Sequence, residues 1–156
     1  MKIATIVLAL LTSIPSLAQH DHTSEMNSRG AHVMGFSQEK TTHHFTLSFD
    51  GGTVEVLTND LKDTASRDQI RTHFHLVSHM FAEGNFTDPM LVHAVNVPGT
   101  AVMTQQKDAL HWNVVETPHG ARMLITADNK SALEALHQFL RFQIEDHKTG
   151  DCEIPH

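Results

Sequence analysis

From Thr42 the stretch THHFTLSF alternates, with Phe45, Leu47 and Phe49 on one face and Thr46 and Ser48 on the other. Asp50-Gly51-Gly52 then turns the chain and TVEVLT alternates again, so a period of two on both sides of a turn predicts a β-hairpin. The period next lengthens to that of a helix. Ile70, Phe74, Val77 and Phe81 form one stripe over residues 65–82, with N-capping candidates between Asp63 and Ser66 and a stop at Gly84. The pattern then repeats. LHWNVVETPHGARMLITAD is a second hairpin around Pro118-His119-Gly120, and Asn129-Lys130-Ser131 caps a helix over 131–147 whose stripe is Leu133, Leu136, Leu140 and Ile144. Between the halves, residues 85–108 carry Pro89, Pro98 and Gly99 without helical period, which predicts a crossing connection with one short strand at 90–95.

Two hairpins, each followed by a helix, predict an α+β two-layer sandwich: an antiparallel sheet with both helices on one face. The order ββα-ββα points to an internal duplication, in which the helix carrying His73 is echoed by the one carrying His137. The domain is expected to span 34–150. Residues 19–33 lack periodicity and read as a flexible lead-in, and 151–156 as a tail.

The chain opens with MKIATIVLALLTSIPSLA. Lys2, an apolar run from Ile3 to Leu11 and the small residues Ser16 and Ala18 form a secretory signal peptide over 1–18, which predicts a periplasmic or secreted protein. The run falls short of the roughly 20 apolar residues of a membrane span, and no later stretch approaches that length. A formal net charge of −7 argues against nucleic acid or anionic membrane as partner. The single Cys152 rules out an intramolecular disulfide and a multi-cysteine zinc site.

Histidine changes the picture, with 14 residues against 11 Lys plus Arg. It is the commonest protein ligand for transition metals, and seven methionines add soft sulfur suited to copper(I). In the stretch THFHLVSHM, helical phase sets His73 and Met80 beside the apolar stripe and turns His75 and His79 to the opposite side. His137 and His147 flank the second stripe, His43 shares the face of Phe45 and Leu47, and the connection supplies Met90 and His93. The expected ligand set is therefore His43, His73, His93 and His137, with Met90 and Met34 as soft accessories and His147 in reserve. His20-Asp21-His22 is a weaker candidate: amino-terminal chelation of copper(II) wants histidine third, and cleavage after Ala18 puts His20 second.

The expected function is an exported metal-binding protein, for copper before zinc, which buffers the ion or exchanges it with a periplasmic donor or acceptor protein. G-x-S-x-G, H-E-x-x-H, P-loop, dinucleotide and C-x-x-C-H motifs are all absent from the sequence. Two alternatives stay open. One is a small enzyme with His43 or His137 as general base and Arg141 binding an anionic substrate. The other is noncovalent haem binding through His73 or His137.

Met34-Gly35-Phe36, Thr41-Thr42-His43-His44-Phe45, Asp63-Thr64-Ala65-Ser66-Arg67-Asp68, Pro89-Met90 with His93, and the run from His137 to Ile144 with Asp146-His147 resemble a family of small exported bacterial proteins. Members sometimes carry a carbamoyltransferase label, which does not suit this chain's length, export signal or lack of a phosphate-binding signature. The resemblance implies export and a domain definition, and no mechanism.

Overall fold

The computed structural model describes the backbone from residue 17 and side chains from residue 22 to the C-terminus; the signal-peptide reading lies outside the described residues but for its last two. In chain order the elements are α1 (Leu17–Met34), β1 (Thr41–Ser48), β2 (Gly51–Thr58), α2 (Thr64–Ala82), α3 (Thr87–His93), α4 (Thr100–Gln105), β3 (Leu110–Thr117), β4 (Gly120–Ala127) and α5 (Lys130–His147). The strands form one antiparallel sheet in the order β1-β2-β4-β3. Phe45, Leu47, Val56, Met123 and Ile125 point from it into a core closed by Ile70, Phe74 and Val77 of α2 and Leu136, Leu140 and Ile144 of α5. This is the α+β sandwich that the alternation predicts. No helix among the described residues is long and apolar enough to cross a membrane.

The two halves repeat each other hydrogen bond by hydrogen bond. Asn59 donates its backbone N–H to Lys40 O at 2.9 Å, and Asp128 does the same to Ala109 O at 2.9 Å. Thr58 N–H reaches His119 O across the sheet, as Ala127 N–H reaches Asp50 O, both at 2.9 Å. Asp63 caps α2 through Ser66 N–H, and Asn129 caps α5 through Ala132 N–H. Equivalent residues lie 69 positions apart in the hairpins, as Gly51 and Gly120 do, and 66 apart in the helices, as Asp63 and Asn129 do. The three-residue difference is the longer β2–α2 loop.

Each helix crosses to the hairpin of the other half. Arg71 of α2 donates to Thr117 O and Gly120 O at the β3–β4 turn. His137 of α5 donates Nε2–H to Ser48 O and Gly51 O, both at 3.0 Å, at the β1–β2 turn. Arg71 and His137 are thus equivalents, which corrects the sequence echo that paired His137 with His73. They give the carbonyls that close each hairpin turn a side-chain donor from the helix of the opposite half. Arg71→Ala and His137→Ala are each expected to cost about 1–3 kcal/mol in urea unfolding, whereas His75→Ala stays within about 0.5 kcal/mol.

Two further expectations are overturned. Residues 90–95 are not a strand: Thr87–His93 form a helix with Pro89 in its first turn, where proline's missing N–H has no intrahelical partner to lose. The lead-in is helical too. Buried Met26 and the hydrogen bond from Arg29 Nε to Val92 O at 2.8 Å seat α1 against α3. One buried methionine in so polar a helix leaves no periodicity to read.

Candidate functional site

The repeat contains its own comparison. In one half Trp112 of β3, Phe81 of α2 and Phe139 of α5 close the core, with Phe81 5.0 Å from Trp112 and 6.2 Å from Phe139 between ring centroids. By the offsets of 69 and 66 residues, the equivalents in the other half are His43, His147 and His73. Three positions filled by indole and phenyl rings in one half therefore carry imidazoles in the other. His43 and His147 stack at 5.2 Å with 13° between planes, and Phe36 meets the edge of His73 at 5.8 Å.

Around these rings lies a pocket of about 90 Å³ between the sheet and the helices, lined by Met34, His43, His73, His93, Gln143 and His147 among apolar side chains. Burial sets its electrostatics. It holds His43 down to about 3, helped by the neighbouring His147, His73 and His44, because a second charge in so apolar a place is costly. Burial likewise holds His73 and His147 to about 4; His93 lowers His147 further, and Asp146 opposes the shift. At neutral pH these three rings are neutral, with lone pairs free for a ligand. His43 Nε2 is buried and has no hydrogen-bond partner, as is Gln143 Nε2.

His93 is the most enclosed, its side chain 1% exposed. Its Nδ1 hydrogen-bonds Asp146 Oδ2, its Nε2 lies 3.0 Å from Gln143 Oε1, and its ring meets His147 edge-on at 5.1 Å. Burial pushes the Asp146 carboxyl up, but hydrogen bonds from His93 and His22 outweigh it and bring it below the ordinary range. A carboxylate behind an imidazole is the arrangement that orients histidine ligands and bases alike. Asp88 also lines the pocket, raised by burial.

Of the expected ligands, His43, His73, His93 and Met34 come together here. His147, held in reserve on sequence, belongs with them. His137 does not: its Nε2 is committed to two turn carbonyls. Met90 packs on the core outside this lining, and Arg141 donates to Glu153 O of the tail, away from the pocket. His75 reaches Glu116 on the solvent side and His79 is exposed, as helical phase predicts. Asp88, Asp146 and Gln143 carried no sequence signal, since an isolated acid or amide on a helix resembles any solvated one. Cys152 is exposed in the tail.

Among the described residues, no three or more His, Cys, Asp or Glu side chains are already arranged to hold a metal ion. Compared with known protein families, curated proteins and solved structures, the chain matches none of them.

Proposed function

We propose that this chain is an exported metal-binding protein whose site is the imidazole pocket, that its ion is copper(I), and that it buffers the ion or passes it on. The observation that carries this is the replacement of Trp112, Phe81 and Phe139 by His43, His147 and His73 at equivalent places in one fold. Phenyl and indole rings serve packing there. At the two places where the equivalent is a phenyl, His73 and His147 desolvate ring nitrogens that Phe139 and Phe81 do not have, a cost that a ligand would offset; at the third, Trp112 Nε1 is itself buried without a partner, as His43 Nε2 is. Neutral imidazoles with the Met34 thioether form a soft donor set favouring copper(I) over harder ions. A low-coordinate site of two imidazoles and a thioether also needs fewer donors than the closed four-ligand array of structural zinc.

The test uses the repeat itself. In the tag-free mature chain, His43→Trp, His73→Phe and His147→Phe together install the rings that the other half already accommodates. The triple variant is expected to fold, and to lose copper(I) affinity by more than about 100-fold in competition with a chromogenic chelator. His75→Ala with His79→Ala is expected to leave affinity unchanged. A wild-type affinity no better than that of a histidine-rich unstructured peptide overturns the proposal.

A second reading, a small hydrolytic or proton-transferring enzyme, is favoured by the Asp146–His93 pair, with His93 rather than His137 as base once a substrate displaces Gln143 from its Nε2. Elemental analysis of protein from its native compartment separates the two. Stoichiometric copper supports the first, and its absence together with failed copper(I) uptake leaves the second.

A further inference from the structure

The pocket's rings have other sides. His43 and His147 also line a polar cleft of about 330 Å³ under α1, whose walls include Thr23, Asn27, Thr42 and Lys148. Met34 and His73 also line a cleft of about 360 Å³ between the end of α1 and the outer face of α2, with Asp68, Thr72 and Leu76 at its rim. The donors thus stand in two pairs, each a partition between the inner pocket and a different outer cleft. The two outer clefts differ in chemistry: the first is polar with a lysine, and the second offers a carboxylate and a leucine side chain 57% exposed.

Resting on the copper(I) assignment, we infer that the pocket is a passage with two ports, one gated by the His43–His147 stack and the other by Met34 with His73. An ion held by one pair is within the same small pocket as the other pair, so it moves by exchanging one neutral donor at a time. No electron or proton needs to be transferred. At either cleft the exchange partner is a soft ligand, a thioether, thiolate or imidazole on an incoming protein segment. A buffer needs one opening. Two openings of unlike chemistry fit delivery, in which donor and acceptor approach from different sides.

The ports are tested by plugging each with tryptophan, on residues that line an outer cleft and not the inner pocket: Asn27→Trp under α1, and Thr72→Trp on the exposed side of α2. Thr42→Trp replaces Asn27→Trp if the latter disturbs the seating of α1. The copper(I)-loaded mature chain is mixed with excess bathocuproine disulfonate, and the rate of transfer is followed together with equilibrium affinity. Each single plug is expected to lower the rate about twofold, and both together by more than about tenfold, with affinity changed by less than about twofold. Wild-type rates in the double variant overturn the two ports while leaving copper binding intact. So does one single plug that already abolishes transfer, because that is a pocket with one door. A wild-type chain that takes up no copper(I) overturns both the ports and the function on which they rest.

Discussion

Acidification from pH 6.5 to about 4 is expected to strip the folded state of much of its stability, with a steepness of two to three protons per molecule. The imidazoles of His43, His73 and His147, ordinarily near 6.5, are held at about 3, 4 and 4 in the folded chain by burial. Above pH 6.5 these rings are neutral folded or unfolded and contribute no slope. Below it, the unfolded chain takes up protons that the folded chain refuses, so stability falls as pH falls until the folded pKa values are reached. Each ring adds up to about 1.4 kcal/mol per pH unit. Asp146 and Asp151, both lowered from 3.8, lose their contributions only below this window, while the raised Asp88 opposes the trend at its lower end. Urea unfolding over a pH series measures the slope, and His147→Phe should reduce it by about one proton. A wild-type slope of one proton or less would show that these rings are solvated in the folded chain.

Gly120→Ala and Gly51→Ala are expected to be among the most damaging single substitutions in the chain, each costing about 3 kcal/mol or more. A Cβ on Gly120 would lie 1.9 Å from Val56 O, and one on Gly51 would lie 1.9 Å from Ile125 O. Both obstacles are backbone of the adjoining central strand, so relief requires β2 and β4 to part along their ladder. Because the two glycines are equivalents in the repeat, their costs should agree within about 1 kcal/mol. Gly35 is a useful contrast. Its φ of 79° strains an alanine, but a Cβ there would touch nothing within 4 Å, so about 1 kcal/mol is expected. Thermal and chemical unfolding of the three variants checks the order. Near-wild-type stability for Gly120→Ala would mean that the central strands approach less closely than described.

The hairpins and the two long helices were legible because each has one buried face and a period that exposes it: Phe45 and Leu47 in β1, Ile70, Phe74, Val77 and Phe81 in α2. Asp63 and Asn129 announced the helix starts. Thr87–His93 was misread because Met90, Leu91 and Val92 form a short apolar run that serves strand and helix equally. The site was half legible for a geometric reason. Helical phase gives the angle of a side chain around the axis, so it set both His137 and His147 beside the core stripe. It does not say which end of the sheet each one meets, and ten residues of helix separate them by about 15 Å. That distance puts His137 at the β1–β2 turn and His147 in the pocket. Likewise, nothing local in the sequence distinguishes an imidazole among apolar residues from the phenyl at its equivalent place, since the equivalence itself emerges only from paired hydrogen bonds.

The crossing of each helix onto the other half's turn has a consequence for motion. Like folded arms, the two halves hold one another, and neither has a covered apolar surface of its own once they are drawn apart. Breathing between them would expose the whole core at once, which is unfolding rather than opening. Motion near the imidazoles short of unfolding is therefore confined to their own side chains and to backbone outside the repeat. α1 and α3 lie outside it, joined by Arg29 to Val92 O and held at one end by the contact of His22 with Asp146 at 3.1 Å. The interlocked sandwich serves as a rigid frame, and the segments that had no pattern in the sequence are the ones that pack onto it from outside.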